Sequence, residues 1–127
     1  MHSPDNRPVF LDLRRIKLPL TGIISILHRV SGVFLFLSLP FLLYWLHLSL
    51  LSESDYQQAL EWRSNPFMVV VLLLICASIA HHLVAGIRFL LLDIEIGVDK
   101  LTARKSAKIA VVADILVFLF LIQVIWL

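Results

Sequence analysis

Several classes of protein are excluded by what this sequence lacks. It has a single cysteine, so no internal disulfide can close. Cys76 also falls within a long apolar run, where it reads as a small packing residue. Charged residues make up only 16% of the 127, against 60% hydrophobic, far from the balance of a soluble domain. There is no glycine-rich phosphate loop and no interleaving of aromatic with basic residues, so the net charge of +2 does not mark a nucleic-acid surface. Nor does the start resemble a cleavable signal, because the first apolar stretch is too long and a basic segment precedes it.

Long apolar runs, by contrast, are plentiful. Residues 30–51, 66–87 and 109–127 each reach the length of about 20 residues that crosses a bilayer. The chain is therefore expected to be an all-α, multi-pass membrane protein with one domain. An N-terminal arm covers residues 1–20, and helices cover about 21–51, 66–92 and 107–127. Basic residues set the orientation, because positive charge is retained on the cytoplasmic side. Arg7, Arg14, Arg15, Lys17 and Arg29 precede or open the first span, and Arg88, Lys100, Arg104, Lys105 and Lys108 surround the second connection. Only Arg63 lies in the first connection, so the N-terminus is placed in the cytoplasm. Tyr44, Trp45, Trp62 and Trp126 fall near the outer ends, as an aromatic belt requires.

Local signals add detail. Pro8 makes residues 7–13 an extended arm, and Arg14-Arg15-Ile16-Lys17 suits lipid headgroups or the docking of a soluble subunit, with charge alone favouring lipid. Thr21 offers an N-cap after Pro19, and Pro40 predicts a kink in the first span. Residues 52–65 form a short polar connection on the outside, in which a helical turn is expected. Asn65-Pro66 then places a cap before a proline at the first helical position.

Ionisable groups at membrane depth demand a reason. His82 lies about 9 Å inside the cytoplasmic boundary, counting back from Arg88 at the helical rise. Ser78, His82 and Gly86 recur at i, i+4, i+8, so small residues flank the imidazole on one face. A flat macrocycle against a helix needs such clearance, and neutral imidazole is an axial ligand of haem iron. The same small residues also serve plain helix packing, with His82 bonded to a neighbour. His81 and His82 point about 100° apart, so they cannot take one iron from opposite faces. His47 lies near the far surface, and His28 is closer to the inner boundary than His82. Ser25 and Arg29 share a face of the first helix and present two donors to a carbonyl or carboxylate, although a lone arginine there also snorkels to headgroups. Asp114 lies at nearly the depth of His81, which makes His81, or a group on another chain, its expected partner. A protonated or wetted carboxyl is the other reading.

Two motifs, Ser25-Ile26-Leu27-His28-Arg29-Val30-Ser31-Gly32 and His82-Leu83-Val84-Ala85-Gly86-Ile87-Arg88 with Asp93, resemble the cytochrome b membrane-anchor subunits of bacterial succinate dehydrogenases. The resemblance extends in order over nearly the whole chain, including residues 7–19 and Arg104-Lys105-Ser106-Ala107-Lys108. It implies a bacterial inner-membrane subunit of respiratory complex II, serving electron transport and the tricarboxylic acid cycle. It makes His82 the axial ligand of haem b, with His28 and Arg29 near the propionates. Ser25 and Arg29 would line the ubiquinone site, and Asp93 would handle protons beside it. The implied partners are a flavoprotein subunit, an iron–sulfur subunit and a second membrane anchor, which completes the helix bundle and gives the opposite haem ligand. The dicarboxylate and flavin sites would belong to the partners, so this chain alone is not the enzyme. Two features depart from the family pattern: Phe89 stands where a further histidine is frequent, and Asp114 matches no family position. The competing readings are a haem-free structural anchor and a small proton-coupled transporter subunit using His81, His82 and Asp114.

Overall fold

The computed structural model describes residues 17–126, apart from the side chains of Arg63, Ile125 and Trp126. The arm over residues 1–16, including Arg7, Arg14 and Arg15, lies outside the described residues, as does the Trp126 side chain expected in the aromatic belt. The described chain is all helix and turn. Helix α1 is Leu20–Leu51, α2 is Glu53–Glu61, a 3-10 turn covers Trp62–Ser64, α3 is Pro66–Asp93 and α4 is Lys100–Trp126. Three of these helices, α1, α3 and α4, are long and apolar enough to cross a membrane. Helix α3 packs against both α1 and α4, which touch each other less.

Helix starts follow from local chemistry, with two corrections to the sequence reading. Thr21 is not the N-cap of α1: Pro19 is, and its carbonyl accepts from the Gly22 and Ile23 amides at 2.9 and 3.1 Å. Proline has no N–H to leave unsatisfied there, and its fixed φ suits the entry. The second correction concerns α4, which starts at Lys100 rather than near residue 107. Asp99 Oδ1 accepts from the Leu101 and Thr102 amides at 3.1 and 2.9 Å, so the cap comes before the basic turns rather than after them. Asn65 caps α3, its Oδ1 accepting from the Phe67 amide at 2.9 Å, and Pro66 follows at the first helical position. Helix α1 continues through Pro40.

The connection at residues 52–65 holds more structure than one turn. Ser52 caps α2 by accepting from the Asp55 amide at 3.2 Å, and Trp45 Nε1 donates to the Ala59 carbonyl at 3.1 Å. Phe41, Tyr44, Trp45 and Trp62 cluster beside it, with the Phe41 and Trp62 rings nearly parallel. The short helix is thereby tied to the end of α1.

Between the long helices, close approach depends on small residues. Ala85 and Ala107 are fully buried with Ile24, and Phe89 and Val111 pack against them. Large apolar side chains elsewhere face outward, among them Phe36, Leu37 and Phe120. That pattern suits a solvent of lipid tails.

Candidate functional site

The site is built where α1, α3 and α4 meet around His81 and His82. The adjacent rings leave α3 in different directions. His82 turns to α1, where its Nδ1 lies 3.1 Å from the His28 carbonyl and 3.2 Å from Ser31 Oγ. A carbonyl only accepts, so Nδ1–H donates, and the neutral ring keeps its lone pair on Nε2. Nε2 has no hydrogen-bond partner among the described residues and is not one of the fully buried unpartnered atoms. Ser31 itself donates to the His28 carbonyl at 2.8 Å.

The His28 ring lies flat on the His82 ring, with centroids 4.1 Å apart and planes 7° apart. Phe89 meets His28 edge-on at 5.2 Å. Gly32 makes room for His82: a Cβ added there would stand 2.8 Å from His82 Cε1. Room for the imidazole itself therefore comes from the facing helix. Gly86, which with Ser78 was read as clearing space for a macrocycle, lies under His28, with 3.4 Å between an added Cβ and His28 Nε2.

His81 turns the other way. Its Nδ1 lies 2.7 Å from Asp114 Oδ2 on α4, and its Nε2 is 3.4 Å from the Ile24 carbonyl on α1. Of the partners the sequence left open for Asp114, the structure gives His81. Asp114 Oδ1 is buried without a hydrogen bond. The pair borders an open groove of about 510 Å³, otherwise lined mainly by apolar side chains such as Leu27, Phe34 and Phe118.

The remaining candidates make no hydrogen bond to either histidine among the described residues. Ser25 is half-buried, whereas Arg29 and Asp93 are exposed. No hydrogen bond or ion pair joins these three among the described residues. Arg88, read from sequence only as a marker of the inner boundary, does not reach for headgroups. It is buried, with Nε donating to Ser106 Oγ and Nη2 to the Ala103 carbonyl, both at 3.1 Å. Its guanidinium also lies over Phe89, 5.4 Å from the ring centre. Sequence reasoning missed this contact and the one between Gly32 and His82. Neither contact has a signal in the spacing of a single helix.

No group of three or more His, Cys, Asp or Glu side chains converges among the described residues, so a bare metal ion has no cage within them. What this site offers is a single oriented imidazole nitrogen beside a glycine.

A family model for the succinate dehydrogenase/fumarate reductase transmembrane subunit matches residues 3–121. The chain belongs to that family. It is 38% identical over 89 residues to the succinate dehydrogenase cytochrome b556 subunit of Coxiella burnetii, covering 69% of this chain and 71% of that one. It is 32% identical over 117 residues to the subunit of the same name from Rickettsia felis, covering 92% and 91%. The Paracoccus denitrificans subunit is 27% identical over 111 residues, covering 87% and 85%. Membership makes this chain a multi-pass inner-membrane anchor subunit of an enzyme complex.

Proposed function

We propose that this chain forms, with a second membrane anchor, a haem b site ligated through His82 Nε2, and part of a ubiquinone-reduction site. The observation that carries the haem reading is the bond from His82 Nδ1–H to the His28 carbonyl. Such a bond fixes the tautomer and ring plane of a metal-binding histidine and leaves the other nitrogen as ligand. The cradle at Gly32 fits the same role, since any side chain there would displace the ring. His28 and Arg29 are assigned to the propionates. When bound, haem b supplies a one-electron redox centre beside the quinone. A second ligand would come from the second anchor, since His81, turned to Asp114 on α4, is not placed to provide it.

Ser25 and Arg29 hold the quinone. Two electrons from the iron–sulfur subunit, fed by the flavoprotein, and two protons convert it to quinol. The Ser25 hydroxyl donates to a carbonyl oxygen, and the Arg29 guanidinium stabilises negative charge as it develops there. Asp93, exposed at the end of α3, relays protons from the cytoplasmic side, where the basic residues also place the N-terminus.

A reduced-minus-oxidised spectrum of the purified complex tests the haem assignment. A b-type band that His82→Ala abolishes is expected. No band, or a band unchanged by that substitution, leaves only a structural anchor. For the quinone, Arg29→Ala should lower quinone reductase activity while sparing succinate oxidation by soluble dyes. Equal loss of both would mean failed assembly.

A further inference from the structure

Helix α3 is tied to α4 by Arg88 and, at the depth of the site, to both neighbours by His82 and by His81, a residue the redox reading does not use. His82 Nδ1 donates to the carbonyl of His28. One turn earlier on α1, the Ile24 carbonyl faces His81 Nε2 at 3.4 Å. On the opposite flank, Asp114 of α4 grips the other nitrogen of the same ring at 2.7 Å. His81 is thus held from both sides, and its backbone is continuous with that of His82.

Little slack exists for the neighbouring ring. His82 is stacked on His28 at 4.1 Å and lies close enough to Gly32 that an added Cβ would come within 2.8 Å. A side-chain end stands about 5–6 Å from the helix axis, so turning α3 by about 10° carries it about 1 Å. That is enough to break a 3.1 Å hydrogen bond and to re-aim Nε2.

Among the described residues Asp114 has no other partner to explain its place. Its side chain is 18% exposed, Oδ2 bonds only to His81, and Oδ1 is buried with no partner at all. A carboxyl group held so deep by a single bond is expensive, and a plain packing role is better met by leucine. We propose that Asp114 is a positioning residue for His82: acting through His81, it fixes the rotation of α3 and so the plane of the imidazole that ligates iron. This rests on the haem reading above.

The test uses the whole membrane complex and reads the low-spin ferric haem by electron paramagnetic resonance, because its g values depend on the planes of the axial imidazoles. Asp114→Leu and His81→Phe each keep approximate volume while severing the bond. Both are expected to retain the b-type band but shift the largest g value and the haem midpoint potential relative to wild type. Asp114→Asn, which keeps an oxygen acceptor for His81, should restore most of the wild-type signal. Wild-type g values and potential in an assembled Asp114→Leu or His81→Phe complex overturn the proposal. If both variants fail to assemble, the residue only supports the bundle and the positioning role is lost. A wild-type complex with no b-type band refutes the haem assignment itself, whereas a normal band with unmoved g values refutes only Asp114's part.

Discussion

Replacing Gly32 by alanine adds one methyl group to the tightest point of the site. The new Cβ would stand 2.8 Å from His82 Cε1 and 3.3 Å from Nδ1, so the ring must retreat by about 0.6–0.9 Å to reach ordinary contact. The stacked His28 ring covers one face of the imidazole and limits its retreat. The shift therefore comes at the expense of the bond to the His28 carbonyl. Overpacking of this kind costs about 1–3 kcal/mol and the lost hydrogen bond about 1 kcal/mol. Alanine returns about 1 kcal/mol of helix propensity, leaving a net loss centred on about 2 kcal/mol. That corresponds to about 30-fold in an equilibrium constant. Two glycines act as internal controls. At Gly86 an added Cβ meets His28 Nε2 at 3.4 Å, and propensity offsets the small strain. At Gly22 it meets Pro19 carbons at 3.7 Å and a Leu18 methyl at 4.0 Å, all ordinary contacts, so alanine is neutral to slightly stabilising. Haem-to-protein ratio and melting temperature of the purified complex should fall clearly for Gly32→Ala, little for Gly86→Ala and not at all for Gly22→Ala. Equal values for Gly32→Ala and Gly22→Ala would refute the assignment of clearance to Gly32.

Arg88→Leu removes both hydrogen bonds between α3 and the first turns of α4, and should lower the melting temperature of the complex by an amount equivalent to about 2 kcal/mol; an unchanged value would show that those bonds carry nothing. Asp99 lies outside the membrane-spanning helices, and hydrogen bonds from the Thr102 side chain and amide, then the Leu101 amide, hold its carboxyl below the usual aspartate range. Because the folded value is depressed, the cap stabilises α4 above the unfolded pKa and is lost as pH falls through the folded one. Hydrogen-exchange protection of the Leu101 and Thr102 amides should follow that acid titration, and Asp99→Asn, which still caps, should remove the pH dependence. Trp45→Phe breaks the bond to the Ala59 carbonyl and should raise proteolytic nicking within residues 52–65 while leaving the b-type band unchanged.

The three spans were legible because bilayer thickness turns a length of apolar sequence into a helix, and Asn65-Pro66 gave the start of α3 because both residue types act locally. Equal depth along two helices made His81 one of the partners expected for Asp114, and the structure selects it. The start of α4 was harder. Residues 100–108 are rich in Lys and Arg, which a hydropathy pattern reads as a loop, yet both are good helix formers and Asp99 supplies a cap. Gly32 and Arg88 failed for a different reason. Which glycine clears His82 depends on the register of α1 against α3, and whether Arg88 turns inward depends on where Ala103 and Ser106 fall across a turn. Neither relation is periodic in one helix, so no spacing rule reaches it.

Exposure alone does not argue for partner chains here. Phe36 at 74% exposed and Leu50 at 75% are satisfied by lipid tails, which are as apolar as any partner helix. The polar inventory is what lipid cannot satisfy. His82 presents a lone pair on Nε2 with no donor from the described residues, at a depth where water is scarce, and Arg29 one helix away makes no ion pair with any of them. A single layer of three helices leaves both groups at its surface. If His82 ligates haem as proposed, one partner lies against α1 and α3 on the side of Gly32, where iron, propionates and quinone oxygens would together satisfy the nitrogen and the guanidinium. A covering helix against α4 alone would leave both exposed to hydrocarbon. Crosslinks from cysteines placed at Val33 and Leu83, both exposed, should therefore trap the second anchor in the assembled complex, whereas one at Leu116 should not. Crosslinking at Leu116 alone would put the partner on the wrong side and remove the shared site.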